Sequence, residues 1–171
     1  MAGMAIASVA RANVVLAPLF ADGMVLQRDQ PIRIWGTADV AEKVKVGFAG
    51  QNAETTTGPD RRWLVMLPAQ PVSAQNRDLQ IRGNNKIVIH DVLMGDVWIC
   101  SGQSNMEFVV RDSRDGAREV ASADQPLVRH IKIGRKLAKD PMEDGSATPG
   151  RRAGPAHVGD FTAVGYFFAR D

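Results

Sequence analysis

The chain has 171 residues, and several sequence features that would place it in a particular class of protein are rare or missing. It has a single cysteine, Cys100, which excludes an intrachain disulfide and a metal site built from several cysteines. No stretch approaches the roughly 20 apolar residues that cross a bilayer, so no membrane span is predicted. Because Cys100 ends an apolar run, we interpret it as a small buried residue, with a reactive thiol as the alternative.

An excess of charge of one sign is also missing. The 21 Lys and Arg residues nearly cancel the 19 Asp and Glu residues, leaving a net charge of +2. Aromatic residues make up only 6% of the chain, and no basic stripe with interleaved aromatics occurs. Nucleic acid is therefore not an expected partner. The apolar fraction of 44% is ordinary for a globular protein.

The first 12 residues differ in character from the rest. Residues 1–10 are mostly small and apolar, and Ala10-Arg11-Ala12 has the spacing of a signal-peptidase site. We interpret residues 1–12 as a shortened export signal, with a disordered tail as the alternative. Basic residues at the start and a longer apolar core, which a full signal peptide has, are absent.

Residues 13–95 are predicted to form a β-sandwich. Short stretches of alternating apolar and polar residues are separated by turn residues, and no helical period is present. Strands at this spacing are typical of an all-β sandwich domain. The apolar positions that define the predicted strands are Ile32, Ile34, Val44, Val46, Phe48, Trp63, Val65, Leu67, Leu79, Ile81 and residues 87–89.

Residues 96–171 have the pattern of a different, α/β class. We predict a strand in the apolar run after about Val97, a helix beginning at Ser104 and a second helix over residues 116–123. These elements resemble the opening of an α/β sheet. Three further elements complete the prediction: a strand through Leu127, Ile131 and Ile133, a long loop over residues 136–159, and a helix after Asp160 whose apolar face is Phe161, Val164 and Phe168 with Ala163 and Phe167 beside it.

The strongest candidate for chemistry is Ser104. It stands where an apolar strand gives way to a helix, which is the layout of a nucleophile elbow. A serine there lies beside unpaired backbone N–H groups that can stabilise a developing oxyanion. The alternative is that Ser104 only caps the helix, in a capping box with Glu107. Gln103 and Asn105 are polar enough to orient a substrate, and Ser101 is a second candidate whose alternative is a turn residue.

No base for such a serine is evident. His90 follows the apolar run 87–89 and is expected to make a structural hydrogen bond at the sheet. We expect His130 to be packed or exposed in the strand around Ile131, and His157 to be solvated in the long loop, with no catalytic role needed for either. No histidine follows an aspartate by three residues, and no metal-ligand cluster or phosphate-binding glycine loop is present.

Four blocks of sequence, in order along the chain, resemble the sialate O-acetylesterase family, carbohydrate esterases of the SGNH-hydrolase superfamily. The resemblance runs from about residue 14 to residue 171 and is weakest over residues 136–159. The matching blocks are LFADGMVLQR at residues 19–28 with Trp35-Gly36, GDVW at 95–98, SGQSNMEF at 101–108 and FTAVGYFF at 161–168.

The resemblance implies a mixed fold: an all-β sandwich followed by a flavodoxin-like α/β/α hydrolase domain. It implies a serine esterase that removes O-acetyl groups from sialic acids or other acetylated sugars, with no metal or organic cofactor. The family's nucleophile is the serine of its Gly-Gln-Ser-Asn motif, which is Ser104 here. It also implies export, to the periplasm or outside the cell.

In the family, a strand, a loop with further oxyanion donors and an Asp/His pair follow the helix that begins near residue 161. The sequence stops before them, so we expect the N-terminal part of an esterase, with an incomplete hydrolase domain and little activity alone. Self-association through an unfinished sheet edge is expected as well. The alternative is a non-catalytic β-sandwich that binds carbohydrate or serves a structural role, with Trp35, Trp63 and Trp98 as sugar-stacking faces.

Overall fold

The computed structural model describes residues 13–135, 137, 139–140 and 146–171. The interpretation of residues 1–12 as an export signal lies outside these residues. The described part is mostly β-sheet with few helices. Its strands are β1 (Val15–Leu16), β2 (Val25–Gln27), β3 (Ile32–Thr37), β4 (Lys43–Phe48), β5 (Gln51–Thr56), β6 (Arg62–Leu67), β7 (Ser73–Arg82), β8 (Lys86–Gly95), β9 (Gln125–His130) and β10 (Arg151–Ala153); its α-helices are α1 (Ser104–Glu107), α2 (Gly116–Ser122) and α3 (Ala163–Arg170).

The N-terminal region contains two sheets. One has the strand order β1-β3-β6, and the other has the order β2-β8-β7-β4-β5. All pairings are antiparallel except that of β2 with β8, which is parallel. The buried side chains of the two sheets form one hydrophobic cluster. Fully burying a Val, Leu or Ile side chain contributes about 1.5–3 kcal/mol, so this cluster is the main source of stability.

The predicted strands of this region are confirmed by their burial. In β4, Val44, Val46 and Phe48 are buried, while Lys43 and Lys45, on the opposite face of the strand, are exposed. β3, β6, β7 and β8 likewise cover the predicted apolar positions. The sequence pattern missed β1, β2 and the polar strand β5. β5 lies at the edge of its sheet and is held by its backbone ladder to β4, so it does not need the apolar alternation that marks the other strands.

A second, smaller hydrophobic cluster lies in the C-terminal region. It is formed by Val110, Ala123, Ala153, Val158, Phe161, Ala163 and Tyr166. α2 matches its predicted range closely. The predicted strand through Ile133 instead ends at His130, and Ile133 makes only an isolated bridge to Ala147. The antiparallel pairing of β9 stops there because its partner β10 is only three residues long.

Two other predictions for this region are wrong. Residues 97–99 form no strand, because no described strand pairs with them. The predicted loop over residues 136–159 contains β10 and the start of a 3₁₀ turn at Val158–Asp160, while residues 136, 138 and 141–145 of that loop lie outside the described part.

Helix α3 lies where the sequence predicts it, but its predicted buried face is only partly correct. Phe161 is buried just before the helix, whereas Val164 is 47% exposed and Phe168 is 58% exposed. Ala163, which was predicted beside that face, is buried in the cluster, Phe167 packs against it, and Tyr166, which the pattern did not include, faces it as well. The Tyr166 hydroxyl donates a hydrogen bond of 2.8 Å to Glu119, and this bond fixes the rotation of the helix. Within the described residues, no helix has the length and hydropathy that a membrane crossing requires.

Candidate active-site serine

The chain is anchored firmly where it leaves β8 toward Ser104. The backbone N–H of Arg28 donates to the carbonyl of Gly95 at 2.9 Å, and the Arg28 guanidinium pairs with Asp96 at 2.9 Å. The side-chain oxygen of Gln27 accepts a hydrogen bond of 2.9 Å from the N–H of Val97. Two sequence blocks 70 residues apart are thereby joined at the start of residues 96–104, which we call the serine segment.

The next part of this segment lies against α3. The Trp98 ring contacts Phe168 edge to face, with ring centroids 5.1 Å apart. A Cβ added to Gly165 would lie 2.8 Å from the sulfur of Cys100 and 2.7 Å from Thr162 Cγ2. Gly165 is therefore what allows the helix to approach so closely. Cys100 itself is exposed, so its interpretation as a buried residue is wrong: α3 covers only one side of it.

Ser104 is the first residue of α1, so the predicted start of a helix at this position is confirmed. Gln103 precedes it in extended conformation and takes the cap position, with its carbonyl accepting from Met106 N–H at 2.9 Å. No side chain caps the helix, and Glu107 forms an ion pair with Arg135 instead. The capping box of Ser104 with Glu107 is therefore wrong, because Ser104 lies one position too far into the helix.

The far end of α1 is also tied to α3. The carbonyl of Phe108 accepts a hydrogen bond of 2.8 Å from the N–H of Ala163, and Val110 N–H donates to the Phe161 carbonyl at 3.0 Å. Because α3 contacts the chain before and after Ser104, the short helix α1 is held in place although it has no buried residue of its own.

The side chains around the serine are free for a ligand. Ser101, Gln103, Ser104 and Asn105 are all exposed. No hydrogen bond joins the Ser104 hydroxyl to another described residue. The chain thus presents one hydroxyl and two amide side chains together at the start of α1, beside N–H groups of the first helical turn that have no partner in the helix.

None of the histidines is paired with Ser104. His90 Nδ1 lies 3.0 Å from Asp78 Oδ1 on β7, which confirms the structural hydrogen bond predicted for it. His130 stacks on Phe161 with centroids 4.5 Å apart, and burial, followed by Lys132 and Arg151, lowers the pKa of its imidazole. His157 is exposed beside the 3₁₀ turn. Among the described residues, no His, Cys, Asp and Glu side chains cluster in a way that could hold a metal.

The mostly β-sheet fold is similar to that of a solved carbohydrate acetylesterase. The chain superposes on the crystal structure of a carbohydrate acetylesterase from Xanthomonas citri with a TM-score of 0.89 and 36% identity. The match covers 92% of this chain and 37% of that one. No protein-family model matches the chain.

Comparison with curated proteins is more specific. The chain is 34% identical to human sialate O-acetylesterase and 31% identical to the rat protein of that name, over 71% of its length in each case. It covers only 25% and 24% of these two relatives. The resemblance to the sialate O-acetylesterase family is therefore confirmed, and the chain spans about a quarter of the length of the curated relatives it matches.

Some residues that build the site were not singled out from the sequence for this role. Arg28, Gln27, Asp96 and Gly165 anchor the serine segment, yet nothing in local pattern distinguishes them from ordinary surface residues. The available signal was their place in the family-like blocks, which contain all four.

Proposed function

We propose that the chain is the serine-bearing part of a carbohydrate esterase that removes O-acetyl groups from sialic acids or other acetylated sugars. The observation that carries this proposal is the exposed hydroxyl of Ser104 at the first residue of α1, held between two contacts with α3. The similarity to sialate O-acetylesterases and to a carbohydrate acetylesterase supports the substrate class. In this proposal residues 13–95 are a β-sandwich, and residues 96–171 begin an SGNH-type hydrolase domain.

The proposed reaction has two steps. Ser104 Oγ attacks the acetyl carbonyl, the ester C–O bond breaks, and the sugar leaves as an alcohol after taking up a proton. Water then cleaves the acetyl-serine and releases acetate. The Ser104 N–H donates to the oxyanion, and Gln103 and Asn105 orient the substrate. The general base is supplied from outside the described residues, since none of these holds a partner for the serine hydroxyl.

A chimera tests the role of Ser104 in the presence of a base. The segment of the Xanthomonas citri acetylesterase that superposes on this chain is replaced by this chain, and hydrolysis of an O-acetylated sugar is measured. We expect turnover that Ser104→Ala lowers by about six orders of magnitude, which is the loss known for a serine hydrolase without its nucleophile. Ser101→Ala, a matched change three residues away, is expected to keep most of the activity.

Three results would contradict the proposal. One is a chimera that folds, as judged by cooperative thermal unfolding, but hydrolyses no acetyl ester. Another is turnover that survives Ser104→Ala. The third is binding of acetylated glycans by the folded chimera with no covalent capture of Ser104 by a fluorophosphonate, which would favour a carbohydrate-binding or structural β-sandwich.

We further propose that the mature protein is periplasmic or secreted, as implied by the family and by residues 1–12. Fractionation of cells that express the chain with its native N-terminus tests this. Recovery of the whole chain, with residues 1–12 uncleaved, in the cytoplasmic fraction would contradict it.

Self-association is also proposed, through the apolar surface of Trp98, Ile99 and Phe168. These side chains are 66%, 91% and 58% exposed. Exposed apolar patches of this kind drive association. Light scattering of the isolated chain is expected to show oligomers that Ile99→Ser reduces. Val40→Ser, which replaces another exposed apolar residue outside this surface, is expected to have no such effect.

A further inference from the structure

The outer face of the five-stranded sheet carries a row of like charges across three neighbouring strands. Lys45 on β4 stands directly opposite Arg82 on β7, and Arg82 stands directly opposite Lys86 on β8. All three are exposed, and none forms an ion pair with another described residue. Like charges directly opposite each other destabilise a sheet. Lys45 also stands opposite the exposed Glu54 on β5, whereas Arg82 has a cation on both sides and gains most from a bound anion.

A depression lies next to this row. Gly47 stands opposite Asn52 on β5 and opposite Gln80 on β7, so the floor between these two amide side chains has no side chain of its own. The concave surface lined by Lys45, Gly47, Asn52, Asp78, Gln80 and Arg82, with neighbouring residues, has a volume of about 320 Å³. A Cβ at Gly47 would lie 2.8 Å from Asn52 Oδ1 and would begin to fill it.

The charges along this groove are arranged from positive to negative. Lys45 and Arg82 stand on one side of the row formed by Asn52, Gly47 and Gln80, and Asp78, paired with His90, stands on the other. Glu54, opposite Lys45 on β5, is not among the residues that line the groove. A carboxylate matches the cationic end, where a guanidinium can bind it in bidentate fashion. Amide groups and a carboxylate at the other end match hydroxyl groups. A phosphate polymer fits less well, because Asp78 would repel it and the aromatic residue in the groove lining, Phe48, is buried and offers no ring for base stacking.

We propose that this groove binds an acidic saccharide, with the sugar carboxylate on Lys45 and Arg82 and its hydroxyl groups on Asn52, Gln80 and Asp78. The site lies on the N-terminal sheet, involves none of the residues around Ser104, and does not depend on the esterase proposal. It would give the protein a second point of attachment to a carboxylated glycan.

The experiment is a titration of the folded chain with tetragalacturonic acid, followed by backbone amide shifts in NMR. We expect shifts in β4, β5 and β7, and weaker binding at higher salt because the contact is charged. Arg82→Gln removes a charge-assisted contact and should weaken binding about tenfold or more. Gly47→Val fills the depression and should do the same. Lys43→Gln, on the same strand and face but outside the groove, is the matched control and should leave affinity within about twofold.

The other outcomes each overturn the proposal. Maltotetraose binding as tightly as tetragalacturonic acid would show that the carboxylate is not recognised. Sulfate binding as tightly as tetragalacturonic acid would show that the hydroxyl groups of the sugar are not recognised. Shifts confined to other elements, no shifts at all, or unchanged affinity in both Arg82→Gln and Gly47→Val would exclude the groove as the site.

Discussion

The two regions of the molecule differ in how completely they bury their apolar side chains. In the N-terminal sheets Ile34, Val44, Val46, Leu79, Ile81 and Val92 have no exposed surface. In the C-terminal region Ile99 is 91% exposed and Trp98 66% exposed, although both lie beside the candidate serine. The N-terminal region therefore has a self-sufficient core, whereas the serine segment is held by a few hydrogen bonds, one ion pair and α3.

Asp91 joins the two regions, and its replacement should have the largest effect. It lies on β8 with φ 59° and accepts from Arg129 Nη2 at 3.3 Å and from Arg152 Nη2 at 2.8 Å. The Arg129 side chain is only 5% exposed, and two of its nitrogens lack a partner among the described residues. Asp91→Asn keeps the left-handed backbone accessible but leaves the arginine charge buried. We expect a loss of about 3–5 kcal/mol of unfolding free energy in chemical denaturation.

The matched control for this change is Asp78→Asn, which removes an exposed carboxylate from the same sheet. Its expected cost is about 0–1 kcal/mol. Equal effects of the two substitutions would show that the Asp91 ion pairs do not join the regions.

Ile34→Ala tests the core of the N-terminal sheets. The side chain is fully buried in the larger hydrophobic cluster, so its truncation removes apolar contacts and leaves a cavity. The expected loss is about 2–5 kcal/mol of unfolding free energy, measured in urea. Leu64→Ala, at an exposed position of the neighbouring strand β6, should cost much less. A similar cost for both would contradict the burial pattern.

Gly165→Ala tests the contact of α3 with the serine segment. Alanine is favoured over glycine inside a helix by about 1 kcal/mol. Here the added methyl group would meet Cys100 Sγ at 2.8 Å and Thr162 Cγ2 at 2.7 Å, and overpacking costs about 1–3 kcal/mol. We expect net destabilisation by thermal unfolding, partly relieved when Cys100→Ala is added.

Gly154→Ala is the control, since a Cβ there meets nothing within 4 Å. Stabilisation by Gly165→Ala would show that α3 is not closely packed against the serine segment. Strictly additive effects of Gly165→Ala and Cys100→Ala in the double variant would show the same.

The strands of the N-terminal region could be predicted because burial on one face imposes a period of two. That pattern found Val44, Val46 and Phe48 correctly and missed β5, where Ala53 is the only apolar residue. For α3 the same logic failed. Phe168 fits a helical apolar stripe, but it is Tyr166 that is buried in the cluster and bonded to Glu119. The burial of Tyr166 depends on residues distant in sequence, so the local pattern could not predict it.

The candidate site was predictable in one respect only. The small residues after an apolar run, followed by Ser104, predicted an exposed serine at a helix start, and the helix start is confirmed. The residues that hold it could not be predicted, because the Arg28–Asp96 pair joins positions 68 residues apart and depends on the parallel pairing of β2 with β8. The catalytic role of Ser104 remains a prediction.

His130 gives the C-terminal cluster a pH dependence. Its folded-state pKa is lowered from the ordinary value of 6.5, first by burial and then by Lys132 and Arg151. Below pH 6.5 the unfolded chain therefore binds a proton more readily than the folded chain, so folding stability falls as the pH drops through this value. We expect the contribution of His130 to the unfolding free energy to be constant above pH 7. It should decrease from about pH 6.5 downward, because the buried imidazole stays neutral while the unfolded chain gains a proton.

The measurement is urea unfolding from pH 7.5 to pH 5 for the wild type, His130→Phe and His157→Gln. His130→Phe keeps an aromatic ring against Phe161 and should flatten part of the decrease, because phenylalanine cannot bind a proton. His157→Gln changes an exposed histidine and should leave the slope as it is. A slope that is the same in all three proteins would mean that burial of the imidazole is not what links the C-terminal cluster to pH.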